Sequence, residues 1–99
     1  MLMTRSRLQM KIDILKTLED ENPLVPNRIL GMTSMRARAS MNHLVLMQML
    51  SELETKGFLR VEVVGTDERP YKRLVYKTEE GAKAIRDYES LLENLGETT

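Results

Sequence analysis

Apolar residues recur along this chain with a helical period, then with a strand period, then with a helical period again. Leu8, Ile12, Leu15 and Leu18 form one stripe, and Ser6 and Gln9 have capping-box spacing, which predicts a first helix from about Arg7 to Glu21. Asn22-Pro23 stops it, since proline disfavours helical geometry at the residue before it. Leu24 to Met32 has the weakest pattern: Pro26 opens either one short turn, Asn27 to Leu30, closed by Gly31, or a loop. A short second helix follows, about Ser34 to Ala39, with Thr33 as its N-cap, Met35 and Ala39 inward, and Arg36 and Arg38 outward. Ser40-Met41 makes a turn and Asn42 caps a third helix, about His43 to Lys56. Its buried face is Leu46, Met49, Leu50 and Leu53, and Gly57 supplies the left-handed residue that ends it.

Leu59, Val61 and Val63 then alternate with Arg60 and Glu62, the period of a half-buried strand. Gly65 to Pro70 reads as the turn, and Tyr71 to Lys77 returns with Leu74 and Tyr76 as the inward pair. Thr78 caps a last helix running to about Leu95, with Glu79 and Glu80 in its first turn, where carboxylates suit the helix dipole. This order predicts one mostly helical α+β domain over residues 1–99. It is the plan of a winged helix-turn-helix: three helices, a two-stranded wing and a C-terminal helix. In that plan the third helix and the hairpin tip face the same side, where the usual target is a DNA groove and its flanking phosphates.

Composition narrows the alternatives. The 99 residues allow one modest core; eight Met partly replace aromatics, of which there are only Phe58, Tyr71, Tyr76 and Tyr88. The absence of Cys excludes disulfides and thiolate metal sites, and suits a reducing cytoplasm. The start lacks the apolar run of a signal peptide, and no stretch approaches the roughly 20 apolar residues of a membrane span. The net charge of zero conceals a division. Residues 1–78 carry 13 Lys/Arg against 9 Asp/Glu, whereas residues 79–99 carry 2 against 6. A basic body with an acidic tail helix fits nucleic-acid binding on one side.

No catalytic or metal signature competes. His43 is the only His, no carboxylate pair stands near it at ligand spacing, and the five Gly residues are too scattered for a phosphate loop. Neither enzyme activity nor a cofactor is expected. For DNA, the early residues of the third helix are the candidate base contacts: Asn42, His43, Val45 and Gln48. Gln and Asn pair with adenine and Val touches a thymine methyl. The blander roles are a cap for Asn42 and a surface ring for His43. Arg36, Arg38, Arg69, Lys72 and Arg73 are the candidate phosphate contacts, with Arg5, Arg7 and Lys11 near the first helix as further cations. Charged hairpins also serve simply to protect sheet edges.

Two apolar features point to protein contacts. Leu44, Val45 and Met47 exceed what the buried face of the third helix uses, so a protein-interaction winged helix is the rival reading. Ile85, Tyr88, Leu92 and Leu95 are spaced 3, 4 and 3, an a/d seam broadened by Leu91, which predicts a homodimer through residues 79–95. The same face also suits packing on the first helix within one chain.

The run Thr33-Ser34-Met35-Arg36-Ala37-Arg38-Ala39-Ser40-Met41-Asn42 resembles the small archaeal winged-helix regulators and chromatin-type proteins, as does Leu50-Ser51-Glu52-Leu53-Glu54-Thr55-Lys56-Gly57-Phe58-Leu59. Tyr76-Lys77-Thr78-Glu79-Glu80-Gly81-Ala82-Lys83 is similar to their entry into the last helix, and Ile14-Leu15-Lys16-Thr17-Leu18-Glu19 to their first helix. The resemblance covers about residues 8–95. It implies a cytoplasmic, nucleoid-associated regulator that binds double-stranded DNA and dimerises through the C-terminal helix.

Overall fold

The computed structural model describes residues 6–37 and 41–96, with side chains omitted at positions 36 and 37. Its order is α1 (Arg7–Asp20), α2 (Pro26–Ala37), α3 (His43–Thr55), β1 (Leu59–Thr66), β2 (Arg69–Lys77) and α4 (Glu79–Asn94). Three helix starts follow directly from capping chemistry. The Ser6 side chain accepts from the Gln9 N–H, Asn42 from Leu44, and Thr78 from Gly81, each satisfying a donor that the first helical turn leaves unpaired.

The second helix departs from expectation. It does not start at Ser34 under a Thr33 cap; it begins at Pro26 and runs unbroken through Gly31 and Thr33. Proline suits a first helical position because the N–H it lacks would be unpaired there. Thr33 is 1% exposed, and its hydroxyl donates to the Ile29 carbonyl at 2.7 Å, a mid-helix bond that leaves no cap role. Among the described side chains of α2, Ile29 and Thr33, one turn apart, are the buried ones, and Met35, expected inward, is 81% exposed. Leu8 alone of the expected stripe falls off the α1 core face, which is formed by Ile12, Ile14, Leu15 and Leu18.

The hairpin pairs Leu59 with Lys77, Arg60 with Tyr76, Val61 with Val75, and Val63 with Arg73. Cross-strand partners share a face, so Val75 enters the core beside Leu59 and Val61. The expected inward pair, Leu74 and Tyr76, lies on the opposite face, where the Arg60 guanidinium sits 4.3 Å from the Tyr76 ring centre. The turn is also tighter than predicted: Thr66 pairs with Arg69, and only Asp67 and Glu68 lie between. The register slips between Val64 and Thr66, which sets Gly65 against Pro70 and Tyr71 as a bulge and accommodates a proline in the strand.

Leu24, just after α1, makes both backbone hydrogen bonds to Val75, at 3.0 and 2.8 Å, and so adds a one-residue third strand. The Asn22 side chain accepts from the Lys77 N–H beside it. The exposed edge of β1 is partly covered by Glu54, whose carboxylate accepts from the Val61 N–H. One core unites Ile14, Leu15, Leu18, Leu24, Ile29, Leu46, Met49, Leu50, Leu53, Leu59, Val75 and Ile85.

Gly81 is more than punctuation in α4. A Cβ there would lie 2.4 Å from the Phe58 carbonyl oxygen, so the first turn of α4 packs on the segment joining α3 to β1 through a missing side chain. Gly81→Ala should therefore destabilise by about 1–3 kcal/mol in urea unfolding, because the clash exceeds the roughly 1 kcal/mol that Ala gains in helix propensity. A second test concerns Glu52, which accepts Lys11 at 2.6 Å and Arg7 at 2.8 Å and ties α3 to α1. The Lys11 hydrogen bond, aided by the charges of Lys11 and Arg7, holds the Glu52 carboxyl below its ordinary 4.5. Its contribution is present above that value and fades as pH falls through the lowered one. Melting of Glu52→Gln should accordingly fall less steeply than that of the parent between about pH 5 and pH 3.

Candidate nucleic-acid interface

The chain presents α3 through its capped N-terminal half. Leu46, Met49, Leu50 and Leu53 fix one face in the core, which leaves His43, Leu44 and Gln48 exposed on the first two turns. Asn42 is exposed too, but its Oδ1 accepts from the Leu44 N–H at 2.7 Å, so that oxygen is engaged in the cap. Val45 is half-buried against the core, as is Met47. Of the apolar trio behind the rival reading, only Leu44, 66% exposed, stands clear of the core. The apolar patch is correspondingly small. The carboxylates of α3, Glu52 and Glu54, lie in its later turns.

Several of the cations are already paired. Arg7 and Lys11 are held by Glu52, Arg28 approaches Glu21, Arg60 pairs with Glu62, and Lys83 pairs with Asp87. Arg7 and Lys11 are therefore partly neutralised rather than open for phosphates. Arg69, Lys72 and Arg73 on the wing are exposed and pair with no carboxylate among the described residues. The side chain of Arg36, and Arg38 and Arg5 entirely, lie outside the described residues. At the wing tip Asp67 and Glu68 immediately precede Arg69, so the tip itself is of mixed charge.

Between α3 and the wing lies a cleft of about 490 Å³, floored by the start of α2 at Val25, Pro26 and Asn27. His43 and Met47 form one wall, and Val63 and Tyr71 to Arg73 the other. Lys72, Arg73, His43 and Asn27 are polar and none of the lining residues is acidic. Tyr71 is 64% exposed and lies over Gly65, where a Cβ would be 2.9 Å from its ring and 2.7 Å from its Cα. The backbone there has φ +149°, which favours glycine. Sequence reasoning assigned Lys72 and Arg73 to this region but missed Tyr71 and Asn27. The Gly65-to-Tyr71 spacing held a clue to the tyrosine; the Asn27 position depends on the Leu24–Val75 pairing and had none.

The C-terminal helix is anchored at one end. Gly81 and Ile85 are buried within the monomer, so Ile85 belongs to the chain's own core rather than to a surface open to a second copy. Beyond it Tyr88 and Leu92 are half-buried, and Leu91 and Leu95 are 54% and 68% exposed. Among the described residues no group of three His, Cys, Asp or Glu could hold a metal ion, and no helix is long and apolar enough to cross a membrane.

No protein-family model matches the sequence, and neither does any curated protein. Solved structures do match. A PadR-like transcription factor from Bacteroides fragilis superposes with a TM-score of 0.79 at 20% identity, over 91% of this chain and 85% of that one. RosR of H. salinarum gives 0.71 at 22% identity, over 86% and 74%. PadR of Bacillus subtilis, solved in complex with operator DNA, gives 0.70 at 20% identity, over 81% of this chain and 46% of that one. At these identities the likeness is one of architecture: this chain has the winged-helix fold that PadR-like regulators share.

Proposed function

We propose that this protein is a double-stranded DNA-binding transcription regulator of the small winged-helix type that archaea also use, acting in the cytoplasm as a homodimer and without a cofactor or catalytic role. The observation that carries the reading is the segregation of charge around α3. Its first two turns and the adjoining cleft hold no carboxylate, while the wing beside them bears cations with no ion-pair partner among the described residues. The fold shared with PadR of Bacillus subtilis, which was solved with operator DNA, supports the same reading.

In this reading α3 enters the major groove with Gln48 as the chief base reader and His43 beside it. Asn42 acts mainly as the cap, with its amide hydrogens left for DNA. Leu44, one turn before Gln48, takes over the thymine-methyl contact first assigned to the half-buried Val45. Lys72, Arg73 and Arg69 hold phosphates, and Arg36 and Arg38 keep that role on sequence grounds alone. The second subunit docks along Tyr88, Leu91, Leu92 and Leu95, which extend the apolar stripe of α4 past its buried anchor.

Fluorescence anisotropy with a random duplex of about 30 base pairs should show binding in the micromolar range or tighter, weakening steeply as salt rises. Flat anisotropy at low salt would shift the assignment to a protein-interaction module. Gln48→Ala should leave random-duplex affinity within about twofold while broadening the sites recovered from a random pool, since base contacts specify and phosphate contacts position. For the dimer, Leu91→Glu with Leu95→Glu should halve the mass measured by light scattering and keep the helical circular dichroism. A dimer that survives both charges would remove α4 as the pairing element.

A further inference from the structure

The cleft between α3 and the wing goes beyond a set of cations. We propose that it seats one sugar–phosphate segment of the DNA backbone, with Arg73 taking the phosphate and Tyr71, Val63 and Met47 taking the deoxyribose. The proposal rests on the DNA-binding reading above and adds residues to it.

Three observations converge. First, the lining combines two chemistries in one hollow of about 490 Å³: cationic and amide groups without a carboxylate, and apolar groups in Met47, Val63 and the Tyr71 ring. A bare anion would need only the first set and an apolar ligand only the second. A sugar–phosphate unit presents a charged group and a largely apolar ring face within a few ångströms, and it matches both.

Second, Tyr71 is presented and not merely exposed. It lies on the bare backbone of Gly65, at a register slip that turns the hairpin locally, and this fixes a ring that is 64% exposed at the mouth of the cleft. Arg73 is opposite Val63, lines the cleft together with His43 and Met47 of α3, and forms no ion pair among the described residues. Third, the tip is the less favourable place for a phosphate. Asp67 and Glu68 stand beside Arg69, so an approaching anion meets two carboxylates with one guanidinium. The start of α2 contributes Asn27 and the positive end of the helix dipole to the cleft floor instead.

The test is anisotropy of the full chain on one labelled random duplex across a salt series, with four variants whose melting is measured alongside. Arg73→Gln should weaken binding about tenfold and lower the log–log salt slope by about one. Tyr71→Ala should weaken it about fivefold with the slope unchanged, because an apolar contact releases no counterion. Tyr71→Phe should bind within about twofold of the parent, and Arg69→Gln should lose less affinity than Arg73→Gln. Parent-like binding by both Arg73→Gln and Tyr71→Ala, while the parent itself binds, would overturn the cleft and leave the DNA reading standing. A larger loss in Arg69→Gln than in Arg73→Gln would move the grip to the tip and overturn it too. Failure of the parent to bind at low salt would overturn both readings together.

Discussion

The structure depends on the junction at which Gly57, Phe58, Thr78 and Gly81 meet. The Thr78 hydroxyl donates to the Gly57 carbonyl at 2.6 Å and accepts the Gly81 N–H at 3.1 Å, while the Thr78 N–H donates to the Phe58 carbonyl. That same carbonyl occupies the space a Cβ at position 81 would need. One threonine thus joins the end of α3, the start of β1, the end of β2 and the start of α4. Because the base of the wing is clamped there, its direction relative to α3 is set by the core. The direction of α4 is set at the same point, which is why Ile85 is buried while Leu95, past the helix end, is open.

A second constraint aligns α2 with the wing. The Leu24–Val75 pair adds a strand residue before α2, and Pro26 begins the helix two residues later. The start of α2 is thereby held against the hairpin, and the cleft exists because of that placement. The wing is thus supported on both sides at its base, by Leu24 on β2 and by Glu54 on β1, and its last residues toward the tip extend beyond the core. The burial pattern shows this gradient: along one face, Leu59 is buried, Val61 half-buried and Val63 exposed.

Which parts of this were legible in the sequence follows from the range of the interactions involved. Ser6, Asn42 and Thr78 act on backbone groups two or three residues away, so each cap could be read from its neighbours. The core face of α3 was legible for a similar reason, since four apolar residues at one period leave a single solution. Thr33 and Gly31 failed as signals because their local meanings, cap and stop, were overridden by burial of Ile29 and Thr33 against the rest of the domain. Leu74-Val75-Tyr76 carries no alternation, so only pairing with Val61 and Leu24 decides which residue turns inward. The capture of Arg7 and Lys11 by Glu52 spans two helices distant in sequence, and no spacing rule reaches it.

The positions of the carboxylates decide how a chain of zero net charge can still offer a basic face. Association with a polyanion responds to the local field and not to the sum, and screening confines that field to about 8–10 Å at ordinary ionic strength. Within that distance of the cleft, what counts is which charges are already paired. Glu52 partly neutralises Arg7 and Lys11, Glu62 is paired with Arg60, Asp67 and Glu68 stay at the tip, and the carboxylates of α4 begin beyond the base of the wing, at Glu79. The acidic helix therefore lowers the net charge of the molecule without lying on the surface that holds Lys72 and Arg73. It carries its own apolar stripe at the far end. On the proposed reading, the wing side would meet the polyanion and the acidic helix, with its exposed leucines, a second copy of the chain.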